Sequence, residues 1–81
     1  MDYIASFHTH ADAIVSHRSL TGKGIAARMM PVPRKISSSC GTCIRYQAET
    51  DMLEHLNQDF EALYVVDGDN QYRKIADGDE C

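Results

Sequence analysis

Residues 31–43 read Pro-Val-Pro-Arg-Lys-Ile-Ser-Ser-Ser-Cys-Gly-Thr-Cys. Both prolines of the chain lie here, with three consecutive serines and two of the three cysteines. Proline fixes φ and withdraws a backbone donor, so the chain enters this stretch as a stiff, extended connection rather than as helix. The serines and Gly41 add hydroxyls and a permissive backbone around Cys40. That composition suits a loop presenting a thiol, not a core. It also separates two strands. Residues 25–30 are closed by Pro31, and residues 44–47 alternate apolar and polar side chains.

Upstream, Tyr3, Ala5 and Phe7 alternate with Ile4 and Ser6 over a first strand, residues 3–7. Thr9 then caps a helix, with Asp12 at the capping-box spacing and Ala13, Ile14, His17 and Leu20 at helical intervals. Gly22 and Gly24 stop it. Downstream, Thr50 caps a second helix with Asp51 and Glu54 in its first turn and Met52, Leu53, Leu56 and Phe60 on its buried side. Residues 62–66 read as a fourth strand. Asp67-Gly68-Asp69-Asn70 has turn chemistry, and residues 71–75 return as a short fifth strand before a loose acidic tail, 76–81.

The order β-α-β-β-α-β predicts an α+β, ferredoxin-like βαββαβ sandwich: one antiparallel sheet with both helices on one face, in a single domain over residues 1–75. In that topology the first two strands run parallel. His8, Thr9 and His10, after the first strand, then neighbour the cysteine loop after the second.

The 81 residues bound one small domain, and the hydrophobic share of 43% is ordinary for a globular protein. No apolar run is long enough to span a bilayer, and the first residues lack the basic and apolar regions of a signal peptide. A cytoplasmic location is the expectation, with no membrane partner. The net charge of -4 hides an uneven distribution. Between residues 13 and 48 there is no acid, while Arg18, Lys23, Arg28, Arg34, Lys35 and Arg45 all lie there. A locally positive region around Cys40 favours a thiolate or an anionic substrate. The acidic total and the lack of interleaved aromatics argue against nucleic acid.

The run from Pro31 to Gly41, followed by the strand-like Ile44-Arg45-Tyr46, resembles the signature loop of the putative selenium/sulfur carrier protein-like family of small bacterial domains. The likeness covers nearly the whole chain in layout and is specific over residues 31–45. It implies a carrier or relay of sulfur or selenium, with donor and acceptor proteins as partners.

Such a carrier needs an accessible thiolate to attack the donor, and Cys40 is the candidate. Amides of Ser38, Ser39, Cys40 and Gly41 can form a nest for the anion, and Arg34 and Lys35 are within reach if the loop folds back. Cys43 has two readings: a thiol that resolves an adduct on Cys40, or the opening residue of the third strand, on the sheet's open face with Arg45. Cys-Gly-Thr-Cys matches thioredoxin-type spacing only superficially, because a strand rather than a helix follows it. No separate acid–base pair is evident, which favours a carrier over a turnover enzyme. A second reading is a small metal- or anion-binding module, with zinc held by Cys40, Cys43, His8 and His10. A third is an interaction domain without chemistry, using an exposed edge strand. Cys81, at the chain end, can join either chemistry or sit on a frayed tail. His17 reads as a core-edge residue beside Ile14 and Leu20, and Met29 and Met30 as core filling.

Overall fold

A computed structural model describes residues 1–36, 41–49, 60–68 and 71–77. In chain order they form β1 (Asp2–Phe7), α1 (His10–Gly22), β2 (Ala27–Pro31), β3 (Thr42–Gln47), β4 (Phe60–Val66) and β5 (Tyr72–Asp77). The strands make one sheet in the order β2-β3-β1-β4-β5, with every neighbouring pair antiparallel. The protein is therefore a small α+β fold: one antiparallel five-stranded sheet and, among the described residues, one helix. That helix is too short and polar to cross a membrane. The expected second helix, from Thr50 onward, lies outside the described residues, as does the end of the expected tail.

β1 is the central strand, and its composition explains why. Tyr3, Ile4, Ala5, Ser6 and Phe7 are all buried, so both faces of this strand are covered. Tyr3, Ala5 and Phe7 join the main core with Ile44, Tyr46, Leu63 and Val65 from the flanking strands. Tyr3 and Tyr46, directly opposite in register, stack with ring centroids 5.4 Å apart. α1 seals this face with Ala13 and Leu20. Ile4 faces the other way. There it meets Cys43 and Ile36 in a second, smaller cluster.

α1 begins as the sequence predicts. Thr9 is the N-cap, and its Oγ1 accepts the Asp12 amide at 3.2 Å. The helix ends in a Schellman motif. Ile25 N–H reaches back to the Leu20 carbonyl and Gly24 N–H to that of Thr21, with Gly24 at φ +81°. Gly24, not Gly22, is thus the stop. Ile25 is used in this cap and packs on the core rather than opening β2, which starts two residues later than expected. His17 fastens the helix to that strand, its Nε2 donating to the Ala27 carbonyl at 3.1 Å. Phe60, expected on the second helix, instead opens β4 opposite Phe7. β5 runs on through Ala76 and Asp77, beyond the expected end at residue 75.

Candidate functional site at the loop end of the sheet

β1 and β2 are each antiparallel to β3, on its two sides, and so run parallel to each other. Both leave the sheet at the end where β3 and β4 begin and β5 finishes. The register fixes this: Pro31 lies opposite Thr42, Met30 opposite Cys43, Ser6 opposite Cys43 and Ala62, and Ala62 opposite Asp77. The N-terminus of α1, the start of the cysteine loop and the last turn of the strand ladder therefore share one end.

The loop first extends the ladder by one step, with Val32 N–H donating to the Gly41 carbonyl at 3.1 Å. It then turns. Ile36 N–H donates to the Pro33 carbonyl at 2.9 Å across Arg34 and Lys35, which stand exposed at the tip. The turn delivers Ile36 onto Ile4 and Cys43, where it is only 5% exposed. A short strap thus folds across the face opposite α1. Gly41, at φ +73°, takes the left-handed conformation that lets the chain re-enter β3 and that a side chain would resist.

Of the sequence-predicted site residues, Cys40, Ser38 and Ser39 lie outside the described residues, as does Cys81. Cys43 is placed clearly. It occupies β3 on the same face as Arg45, as one of its two readings has it, but that face is not open here: Cys43 has 0% exposure. Its Sγ lies 3.7 Å from the Pro31 carbonyl, and Ile36, Met30 and Val32 pack around its cluster. No visiting molecule reaches this sulfur while Ile36 stays seated.

The two histidines flank the helix N-cap. His10 Nδ1 lies 3.4 Å from Thr42 Oγ1, so the start of α1 meets the exit of the cysteine loop. His8 Nδ1 lies 3.6 Å from Glu61 Oε2. Glu61 reaches it because the β1–β4 register shifts between Ser6 and Phe7, which makes Glu61 the extra residue of a bulge. Thr42, beside His10, and Cys43 point to opposite faces of β3 because they are consecutive strand residues. Among the described residues no three His, Cys, Asp or Glu side chains gather as a metal-holding group.

Sequence reasoning did not single out Ile36 or Glu61. Ile36 carried a signal: it is the one aliphatic residue between Pro33 and Gly41, and a lone apolar side chain in a polar loop needs somewhere to be buried. Glu61 carried none, since a bulge is decided by the partner strand. Comparisons with curated proteins and with solved structures return no match. A family profile, by contrast, covers the chain from β1 into β4 and includes the strap and both loop cysteines. By that match over residues 2–64, the chain belongs to the family described as Putative Se/S carrier protein-like.

Proposed function

We propose that this protein carries sulfur or selenium as a covalent adduct on Cys40. The observation that carries the reading is the family match, which spans the whole Pro31–Cys43 stretch. The Cys40 thiolate attacks the outer sulfur of a donor persulfide. A bond forms between Cys40 Sγ and that sulfur, the donor's S–S bond breaks, and the donor thiolate leaves with the electron pair. A nucleophile on the acceptor protein then takes the terminal sulfur, and the Cys40 thiolate leaves in turn. Arg34 and Lys35, exposed at the strap's tip, and the amides around Ser38, Ser39 and Gly41 stabilise the anionic states. Cys43 acts as the resolving thiol. It attacks the inner sulfur of the Cys40 persulfide, closing a Cys40–Cys43 disulfide and releasing hydrogen sulfide. Its burial under Ile36 makes that step wait on the strap lifting.

The work is that of a carrier exchanging with donor and acceptor proteins, without nucleic acid, in a cytoplasm that keeps both thiols reduced between cycles. A ferredoxin-like arrangement suits it. β3 and β4 lie on the two sides of β1 and run parallel, an arrangement of strands that helical crossovers usually join.

Intact mass measurement after incubation with a small persulfide tests the reading. The expected result is a gain of one sulfur atom, reversed by reductant and absent in Cys40→Ser. An adduct that survives in Cys40→Ser, or none in the wild type, would overturn it.

A further inference from the structure

The face opposite α1 holds a second cluster of charge, two residues along β3 from Cys43. Arg28 on β2 and Arg45 on β3 are direct partners in the antiparallel register. Their Cβ atoms are therefore about 5 Å apart on one face, an arrangement of like charges that is destabilising by a few tenths of a kcal/mol to about 1. A charged residue on an edge strand has a plain purpose, since it discourages another chain from adding to the edge. That accounts for Arg28 alone. Arg45 is on an interior strand, where it guards no edge, yet it sits directly across from Arg28.

Among the described residues one carboxylate serves the pair, and it is committed to one side. Asp2 Oδ2 lies 2.5 Å from Arg45 Nη2. Hydrogen bonds from Arg45 first, and from Gln47 second, hold the Asp2 carboxyl below the usual aspartate range. Arg28 is exposed, and among the described residues its side chain makes no ion pair or hydrogen bond. Asp2, Arg28, Arg45 and Gln47 line a hollow of about 320 Å³. The hollow is open to solvent, so a small anionic group can approach both arginines from it.

We infer that Arg28 and Arg45 form a binding site for a phosphate- or sulfate-type oxyanion group of a small ligand. Two arginines leave the same side of the sheet and line one hollow, with a net charge of one after Asp2, and a dianionic group supplies a second acceptor set for the pair. Asp2 competes with the ligand for Arg45. It orients the guanidinium and weakens binding at once. This site does not use Cys40, so it stands or falls independently of the sulfur-carrying reading.

Titration followed by backbone amide NMR at low salt tests the inference, with inorganic phosphate in one arm and glycerol 3-phosphate in the other. Saturable shifts centred on Arg28, Arg45 and Gln47 are expected, with the phosphomonoester binding at least as tightly as the free ion. Arg28→Gln should weaken binding by about fivefold or more. Arg18→Gln removes the same charge from an exposed position on α1 and should change it by less than about twofold. Asp2→Asn should tighten it. Shifts that do not saturate, an equal loss in Arg18→Gln, or no gain in Asp2→Asn would overturn the inference.

Discussion

On one face of the sheet a helix lays Ala13 and Leu20 against Phe7, Ile44 and Leu63; on the other, a single turn of loop lays Ile36 against Ile4 and Cys43. The first contact joins elements each braced by many backbone hydrogen bonds, capped at Thr9 and stopped at Gly24. The second is made by one strap residue, with Met30, Val32, Tyr64, Val66 and Tyr72 packed at the cluster's margin, and among the described residues two backbone hydrogen bonds brace its loop. Burial is complete under both, yet the work needed to undo it differs. Opening free energies within one protein range from near zero for loops to the full unfolding value for the core. The helix face is therefore expected to be the fold's anchor, and the gated step proposed for Cys43 requires the strap face to open without unfolding the domain.

Leu20→Ala attacks the anchor and should have the largest effect. It removes a fully buried side chain beneath the Schellman turn and strands Ile25, which packs on the same cluster. The expected loss is about 2–5 kcal/mol in urea unfolding. A loss under about 1 kcal/mol would mean that the helix face is no better packed than the strap face, and the contrast would dissolve.

Ile36→Ala attacks the strap. The site lies at the edge of a small cluster and can partly collapse, so the expected cost is about 1–2 kcal/mol, below the usual range for a core aliphatic. The more telling readout is Cys43. With Cys40 and Cys81 both replaced by serine, alkylation of Cys43 should speed up by about tenfold or more in Ile36→Ala under native conditions. Unchanged alkylation would show that Cys43 is reached only by global unfolding, and the gated resolving step proposed for it would fail.

Much of the helix face was legible in the sequence because its rules are local. The period-two pattern of Tyr3, Ala5 and Phe7 assigned the faces of β1, and Thr9 with Asp12 located the start of α1. The misreadings fall where a distant partner decides. Phe60 lies four residues after Leu56 and fits a helical stripe equally well, and its pairing with Phe7 across the sheet settles the matter. Ile25 looks like strand, but the helix end claims it. On the strap face, topology correctly brought His10 to the cysteine loop. The same topology left the opposite face open, because nothing local says that residues 32–36 fold back over it. Cys43 could not be recognised as buried until Ile36 had been placed.

The smallest expected effect is on acid stability, and it too separates the faces. The buried cluster under α1 is built from apolar side chains and tyrosines among the described residues, whereas the opposite face carries the Asp2–Arg45 pair at its margin. Arg45, and after it Gln47, hold the folded-state pKa of Asp2 below the ordinary aspartate value of about 3.9. A depressed carboxyl pKa means that the unfolded chain binds the proton more readily. The pair's contribution is therefore full above the ordinary value and is lost as pH falls through it toward the lowered folded value. Because both side chains are about a third exposed, that contribution stays under about 1 kcal/mol. Urea midpoints of the wild type and Asp2→Asn should differ slightly at neutral pH, and the gap should narrow as pH falls below the ordinary aspartate value. A gap that stays constant across that range would mean that Asp2 acts through packing rather than charge, and the electrostatic distinction between the two faces would have to be withdrawn.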